Sequence, residues 1–219
     1  MRINADFSER AVVRPGDVAW VPSPMAGVER IMLDRIGDEV ARATSIVRYA
    51  PGSHFSAHQH DGGEEFLVLE GIFSDEHADY PAGTYVRNPI GTAHVPRSED
   101  GCTILVKLHQ FDADDREQKA IAAPPNAFVP TDRPGSSAFE LHRHDSECVS
   151  FLRIDPQSPM AELRHPLGAE FFVIEGEFAD ENGIYPQQSW LRMPPDSAHT
   201  LRSDTGCLLW MKTGHLGEA

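Results

Sequence analysis

Long apolar runs are missing from this chain of 219 residues. That removes any candidate for a membrane-spanning helix, which needs roughly 18 consecutive apolar residues. The opening MRINADFSER is polar and has no apolar h-region, so no signal peptide is expected and the cytoplasm is the expected compartment. Cysteine is scarce. Cys102, Cys148 and Cys207 are too few and too scattered for a disulfide framework or a cysteine-rich zinc site, and are expected to be small buried hydrophobes. Basic charge is also sparse: 19 Lys and Arg stand against 34 Asp and Glu, giving a net charge of −15 with no basic cluster. Such a surface repels phosphate backbones and anionic lipid, so neither nucleic acid nor membrane is expected as a partner.

What the chain does have is a repeat. The segment beginning SIVRYAPGSHFSAHQHDGGEEFLVLEG at Ser45 aligns without a gap with the segment beginning SFLRIDPQSPMAELRHPLGAEFFVIEG at Ser150. Roughly 25 positions in 65 are identical at an offset of about 105, which marks a duplication. Turn and breaker residues recur in both copies, among them Gly71 and Gly176, Tyr80-Pro81 and Tyr185-Pro186, and Pro89 and Pro194. Between them lie short runs rich in β-branched and aromatic residues, such as FLVLEGIF, TILVKL, FFVIEGEF and CLLWMK. They are too short for helices and predict an all-β fold, a sandwich or barrel made twice. The domains are expected at 1–112 and 113–219. The stretch from Phe111 to Phe139 reads as a linker leading into the second unit, with DADDREQKAIA able to form one or two helical turns before Pro124-Pro125.

Chemistry concentrates in the first copy, in the order His58-Gln59-His60, Glu64 and His94. Histidines at i and i+2 of a strand share a face, about 6.5 Å apart at Cα, and two imidazoles so placed can converge on one ion. A carboxylate from the next strand and a histidine from a later one can complete the shell. Asp61-Gly62-Gly63 supplies the tight connection between them.

Here the sequence resembles the cupins. Gly52-x5-His58-x-His60-x3-Glu64-x6-Gly71 matches cupin motif one, and Gly83-x5-Pro89-x-Gly91-x2-His94 matches motif two, with Ser98 in place of its closing Asn. The wording GGEEFLVLEGIFSDEHADYPAGTYVRNP is most similar to the cupin-like domain of ChrR-type anti-sigma factors. The resemblance implies two tandem cupin jelly-roll β-barrels. It also implies one divalent transition metal ion (zinc, iron, nickel or manganese) in the N-terminal barrel, held by His58, His60, Glu64 and His94. ChrR proteins grip their sigma factor with an N-terminal zinc-binding helical domain. No Cys/His cluster precedes the first repeat here, so that grip is not carried over.

The family spacing admits Glu64 or Glu65 as the carboxylate. In the second copy His58 is replaced by Leu163 and Glu64 by Ala169, while Glu65 persists as Glu170. Two losses together suggest one abandoned site and point to Glu64. Glu65 and Glu170 then read as structural, pairing with Arg48 and Arg153 or with Arg87 and Arg192. The second barrel keeps His165 and His199 and is expected to be a degenerate site, unless Glu162 or Glu170 rescues it or a metal-free pocket takes a small molecule. His142 and His144 share a strand face but read as solvated, and His54, His77, His109 and His215 as surface groups. Phe66 and Tyr85 are expected in the barrel core or lining the metal pocket.

Three functions fit this reading. One is a binding or regulatory module responsive to a small molecule or oxidant in the barrel pocket, signalling to a regulatory protein partner. Another is an Fe(II)-type dioxygenase of a small diketone-like or enolisable substrate, and the third a bicupin whose metal is structural. A tandem duplication imitates a two-fold interface within one chain, and a homodimer of whole chains is compatible with it.

Overall fold

The computed structural model describes residues 1–124, 126–158 and 162–217. Among them there is no helix, and hence none long and apolar enough to cross a membrane. The chain divides into two compact units, one of residues 1–5 and 19–122, the other of residues 6–18 and 123–219.

Each unit is built on an antiparallel sheet with the same seven-place order. In the first unit it runs Arg2–Ile3, Val28–Gly37, Ala41–Tyr49, Cys102–Leu108, Glu64–Ser74, Thr84–Asn88 and Lys119–Ala122. In the second it runs Val129–Pro130, Ser136–His144, Glu147–Ile154, Cys207–Thr213, Ala169–Asp180, Trp190–Met193 and Ala11–Val13. The last place of each sheet is filled from outside the repeat it completes. Lys119–Ala122 pairs with Thr84–Asn88 in the first unit, and Ala11–Val13 pairs with Trp190–Met193 in the second. The units therefore do not divide at residue 112 alone, because residues 6–18 and 113–122 lie across that line. The expected linker helix is also absent. Lys119 to Ala122 alternate in burial, as a strand covering one sheet face does, and ladder hydrogen bonds outweigh the weak helical propensity of so short a segment.

The duplication extends to irregularities. The long strands carrying the site bulge at matching places, between Val68 and Glu70 and between Val173 and Glu175, each opposite the last strand of its repeat. A bulge adds one unpaired residue and bends the strand. The bend is followed by Gly71 and Gly176, both at φ 71°. A Cβ at either would lie 2.2 Å from the Gly101 carbonyl oxygen or 2.1 Å from that of Gly206, so only glycine fits.

The interior of each unit is apolar. Phe66, Val68, Phe73, Val86, Ile104 and Val106 form the first core. In the second, Phe171, Val173, Phe178, Leu191 and Leu209 are joined by Leu163, Ala169 and Met193. Glu64, Phe66 and Val68 alternate toward one face of their strand, so the Glu64 carboxylate enters the same interior as the Phe66 ring.

Candidate metal centre

Two short strands beside the first sheet bring the histidines together. His58–Gln59 pairs antiparallel with Ala93–His94, setting His58 directly opposite His94, and His60 follows at the end of the first. The three imidazoles meet edge to face, with ring centroids 5.2 Å apart for His58–His60, 4.8 Å for His58–His94 and 4.6 Å for His60–His94. Glu64 reaches in from the sheet. Its Oε1 lies 3.5 Å from His60 Nε2 and 3.6 Å from His94 Nε2. One ligand atom from each of the four side chains falls within 4.8 Å of every other.

Neighbouring groups set which nitrogens face inward. The Thr92 hydroxyl donates to the Pro89 carbonyl and accepts from His60 Nδ1 at 2.9 Å, so the proton of His60 sits on Nδ1. His94 Nδ1 lies 3.4 Å from the Asp75 carboxylate, which can only accept, and the Tyr80 hydroxyl donates to the same group. Both arrangements leave an Nε2 lone pair toward the centre, and both Nε2 atoms are buried without a hydrogen-bond partner. Orphaned buried polar atoms are costly, so such a pair signals a missing ligand. Orienting a ligand imidazole through its other nitrogen is the usual support of a metal site.

The electrostatics agree. Burial, with the neighbouring His94 and His58, pushes His60 down to about 3, so at neutral pH it is an uncharged electron-pair donor. Burial also lowers His94, helped by His58 and opposed by Asp75. Burial pushes Glu64 up to about 7, against a hydrogen bond from Asn88 and with a further push from Asp75. A carboxylate held this high lacks a cation, which a divalent ion would supply. Three nitrogens and one oxygen around a common point fit a divalent transition ion.

Glu65 takes no part in this cluster. It points to the opposite face of its strand, where the Tyr85 hydroxyl and Arg87 donate to it, Arg87 at 3.0 Å, and Arg87 also binds Asp115. Tyr85 therefore belongs to this second buried network, whereas Phe66 stays in the core. Arg48 pairs instead with Glu29 and stacks on Trp20. Glu170 is met by His215 at 2.9 Å, so His215 is buried rather than a surface group, held by the need of an interior carboxylate for a partner. His142 is likewise buried, 1% exposed, because the bulge before it sets it directly opposite the fully buried Val149. His54 and His77 are exposed as expected, and His109 is half-buried. Cys102 and Cys207 are buried free thiols, with Cys148 half-buried.

In the second unit Glu162–His165 pairs with Ser197–Thr200, which places His165 and His199 with ring centroids 5.1 Å apart. His199 Nδ1 is 3.3 Å from Asp180, to which the Tyr185 hydroxyl donates at 2.7 Å, repeating the Asp75–Tyr80 support. Burial, with His199 and Arg133, pushes His165 down to about 4. Glu162 is exposed and paired with Arg164, so it does not complete a shell.

Comparison with known proteins agrees with this architecture. The family model of the ChrR cupin-like domain matches residues 8–112 and again 118–217. The chain belongs to the ChrR cupin-like family. It carries two such domains in tandem, each a cupin barrel. Among solved structures, this bicupin is similar to a candidate dioxygenase of Nostoc punctiforme, at 14% identity and TM-score 0.77, over 97% of this chain and 85% of that one. A variant of oxalate decarboxylase from Bacillus subtilis matches at 12% identity and TM-score 0.62, over 95% and 78%. A bacterial pirin of Escherichia coli in complex with nickel(II) matches at 10% and 0.69, over 94% and 98%. At these identities the likeness is one of fold. The sequence matches no curated protein.

Sequence reasoning missed Asp75 and Asp180. The signal was present, since Asp, Tyr and His recur together as Asp75, Tyr80 and His94 and as Asp180, Tyr185 and His199, even where the other ligand positions diverge.

Proposed function

We propose that this bicupin is a metal-centred regulatory module. In this reading His58, His60, Glu64 and His94 hold one divalent ion in the N-terminal barrel, and a small molecule or oxidant reaches that centre from solvent. The observation that carries the reading is the uneven burial of the cluster: His60 and His94 are 6% and 2% exposed, whereas His58 is an exposed residue on the open side. Such a centre is anchored in the interior and addressable from outside. Four protein ligands saturate a tetrahedral zinc ion but leave about two positions free on a six-coordinate ion such as iron, nickel or manganese. When bound, the ion supplies Lewis acidity and, if redox-active, sensitivity to oxidants.

The chain's own residues favour binding over acid–base catalysis. Asp75 is engaged by His94 and Tyr80, and Glu65 by Tyr85 and Arg87. Neither carboxylate stands ready to move a substrate proton. Thr92 and Asp75 hold His60 and His94 in one tautomer, so a change at the centre is transmitted to the Pro89 turn and to the Asp75 turn. The output in this reading is a changed surface for a regulatory protein partner, in line with the ChrR family.

Cobalt(II)-substituted protein tests this proposal by its visible spectrum. A four-ligand centre open to solvent changes its band positions on addition of azide or peroxide, and His58→Ala alters that response. A spectrum indifferent to both ligands means a closed, structural site and contradicts the proposal. A second reading, an Fe(II)-type dioxygenase, draws on the same free positions and on the likeness to the Nostoc protein. Oxygen uptake by iron(II)-loaded protein with 2,4-diketones would establish it in place of the first.

A further inference from the structure

The second barrel is not an eroded copy of the first, because its replacements are concerted. Leu163 stands at the place of His58, Ala169 at that of Glu64 and Met193 at that of Asn88. In the first unit Glu64 and Asn88 are direct cross-strand partners, Asn88 Nδ2 donating to Glu64 Oε1 at 3.3 Å beside the two imidazole Nε2 atoms. In the second unit Ala169 and Met193 are the corresponding partners, both buried in one core cluster with Leu163. The carboxylate and amide at this crossing have become a methyl group and a thioether. His165 and His199 remain, 4% and 1% exposed, each with a buried Nε2 that has no hydrogen-bond partner. The Phe171 ring packs against both, at 5.6 and 5.4 Å between centroids.

Two unpartnered imidazole nitrogens in an apolar chamber leave the same accounting question as the first site, but the donor set around them is different. Among the described residues no carboxylate joins it directly, since Glu162 faces solvent, Glu170 faces His215 and Asp180 lies against the other nitrogen, Nδ1, of His199. Burying a doubly charged ion there would cost roughly four times the Born energy of a singly charged one, with only the Asp180 carboxylate behind His199 to offset it. Soft, neutral nitrogen and thioether donors select monovalent copper, which also accepts low coordination numbers. The flexible, polarisable Met193 side chain opposite the truncated Ala169 suits such a ligand.

We propose that the C-terminal barrel is a copper(I) site, with His165 and His199 as its nitrogen ligands and Met193 as its thioether. Asp180 orients His199 through Nδ1, as Asp75 does His94. The two barrels would then hold different metals, a divalent ion in the first and a monovalent one in the second.

The test is a competition titration of full-length protein with copper(I) against a chromogenic copper(I) chelator, under anaerobic conditions. To silence the first barrel independently of what it binds, the titration uses the His58→Leu/Glu64→Ala variant, which copies residues the second barrel already tolerates. The expected result is one copper(I) per chain, no retained zinc(II), a loss of affinity of at least tenfold in Met193→Leu and loss of the site in His199→Ala. X-ray absorption at the copper edge is expected to show a sulfur neighbour that disappears in Met193→Leu, a substitution that conserves volume and fold. Adding Asn88→Met to the silenced first barrel is expected to create a second copper(I) site. No copper(I) retained by the silenced variant, or binding indifferent to both Met193→Leu and His199→Ala, overturns the proposal.

Discussion

At the scale of single residues, the neighbours Glu64 and Glu65 divide two roles that composition cannot distinguish. Strand alternation sends one carboxylate to the histidine cluster and the other to Tyr85 and Arg87. Glu64→Gln is therefore expected to lose bound metal while keeping the fold. Glu65→Gln is expected to keep the metal and cost about 1–3 kcal/mol by removing one of the two buried carboxylates that Arg87 binds, Asp115 remaining as the other. Metal content and thermal melts of the two variants separate these outcomes, and reversed results would reassign the carboxylate. Asp75→Asn preserves an oxygen for the turn it caps, where it accepts from the His77 and Ala78 amides. It removes the negative charge behind His94, and metal affinity is expected to fall about 10–100-fold. The four clustered residues were legible in the sequence because their spacing is strict. Asp75 was not, because it acts through another side chain and lies 19 residues from the His94 it supports, a distance only the folded barrel closes.

At the scale of elements, the strands were legible from alternation and turn residues, and the duplication made each visible twice. What escaped was the destination of two short strands. Ala11–Val13 and Lys119–Ala122 carry no pattern that says which sheet they join, since pairing partners are set by register and not by composition. Their placement makes a directional prediction. Val12 packs against the second unit's core, so Val12→Asp is expected to speed amide exchange across Trp190–Met193 while Thr84–Asn88 keeps its protection. Exchange faster in Thr84–Asn88 instead would contradict the pairing. Within the linker after Phe111, the run DADDREQKAIA reads as able to form one or two helical turns. The last four residues of that run, KAIA, alternate in burial and form a strand instead.

At the scale of the whole molecule, the two domains share a framework but not a charge balance. In the second, burial pushes Asp180 up, but the hydrogen bonds from His199, Tyr185 and the Asn182 amide, together with the Arg10 charge, outweigh it and hold it well below the usual carboxylate range. A depressed carboxylate stabilises the fold above its unfolded value of about 4, and that contribution is lost as pH falls below it. Asp180→Asn is thus expected to be less stable than wild type at pH 7, with the gap narrowing in melts below pH 4. A gap that is constant with pH would show that the Asp180 charge contributes nothing.

The central claim is that three imidazoles and one carboxylate of the N-terminal barrel bind a divalent ion. Elemental analysis of protein purified without added metal or chelator tests it most directly, with His94→Ala beside it. The account expects one equivalent of a divalent transition metal per chain, lost in the variant while the fold is retained. Wild-type protein free of such metal even after exposure to zinc, iron, nickel and manganese salts, or an undiminished equivalent in His94→Ala, would contradict it.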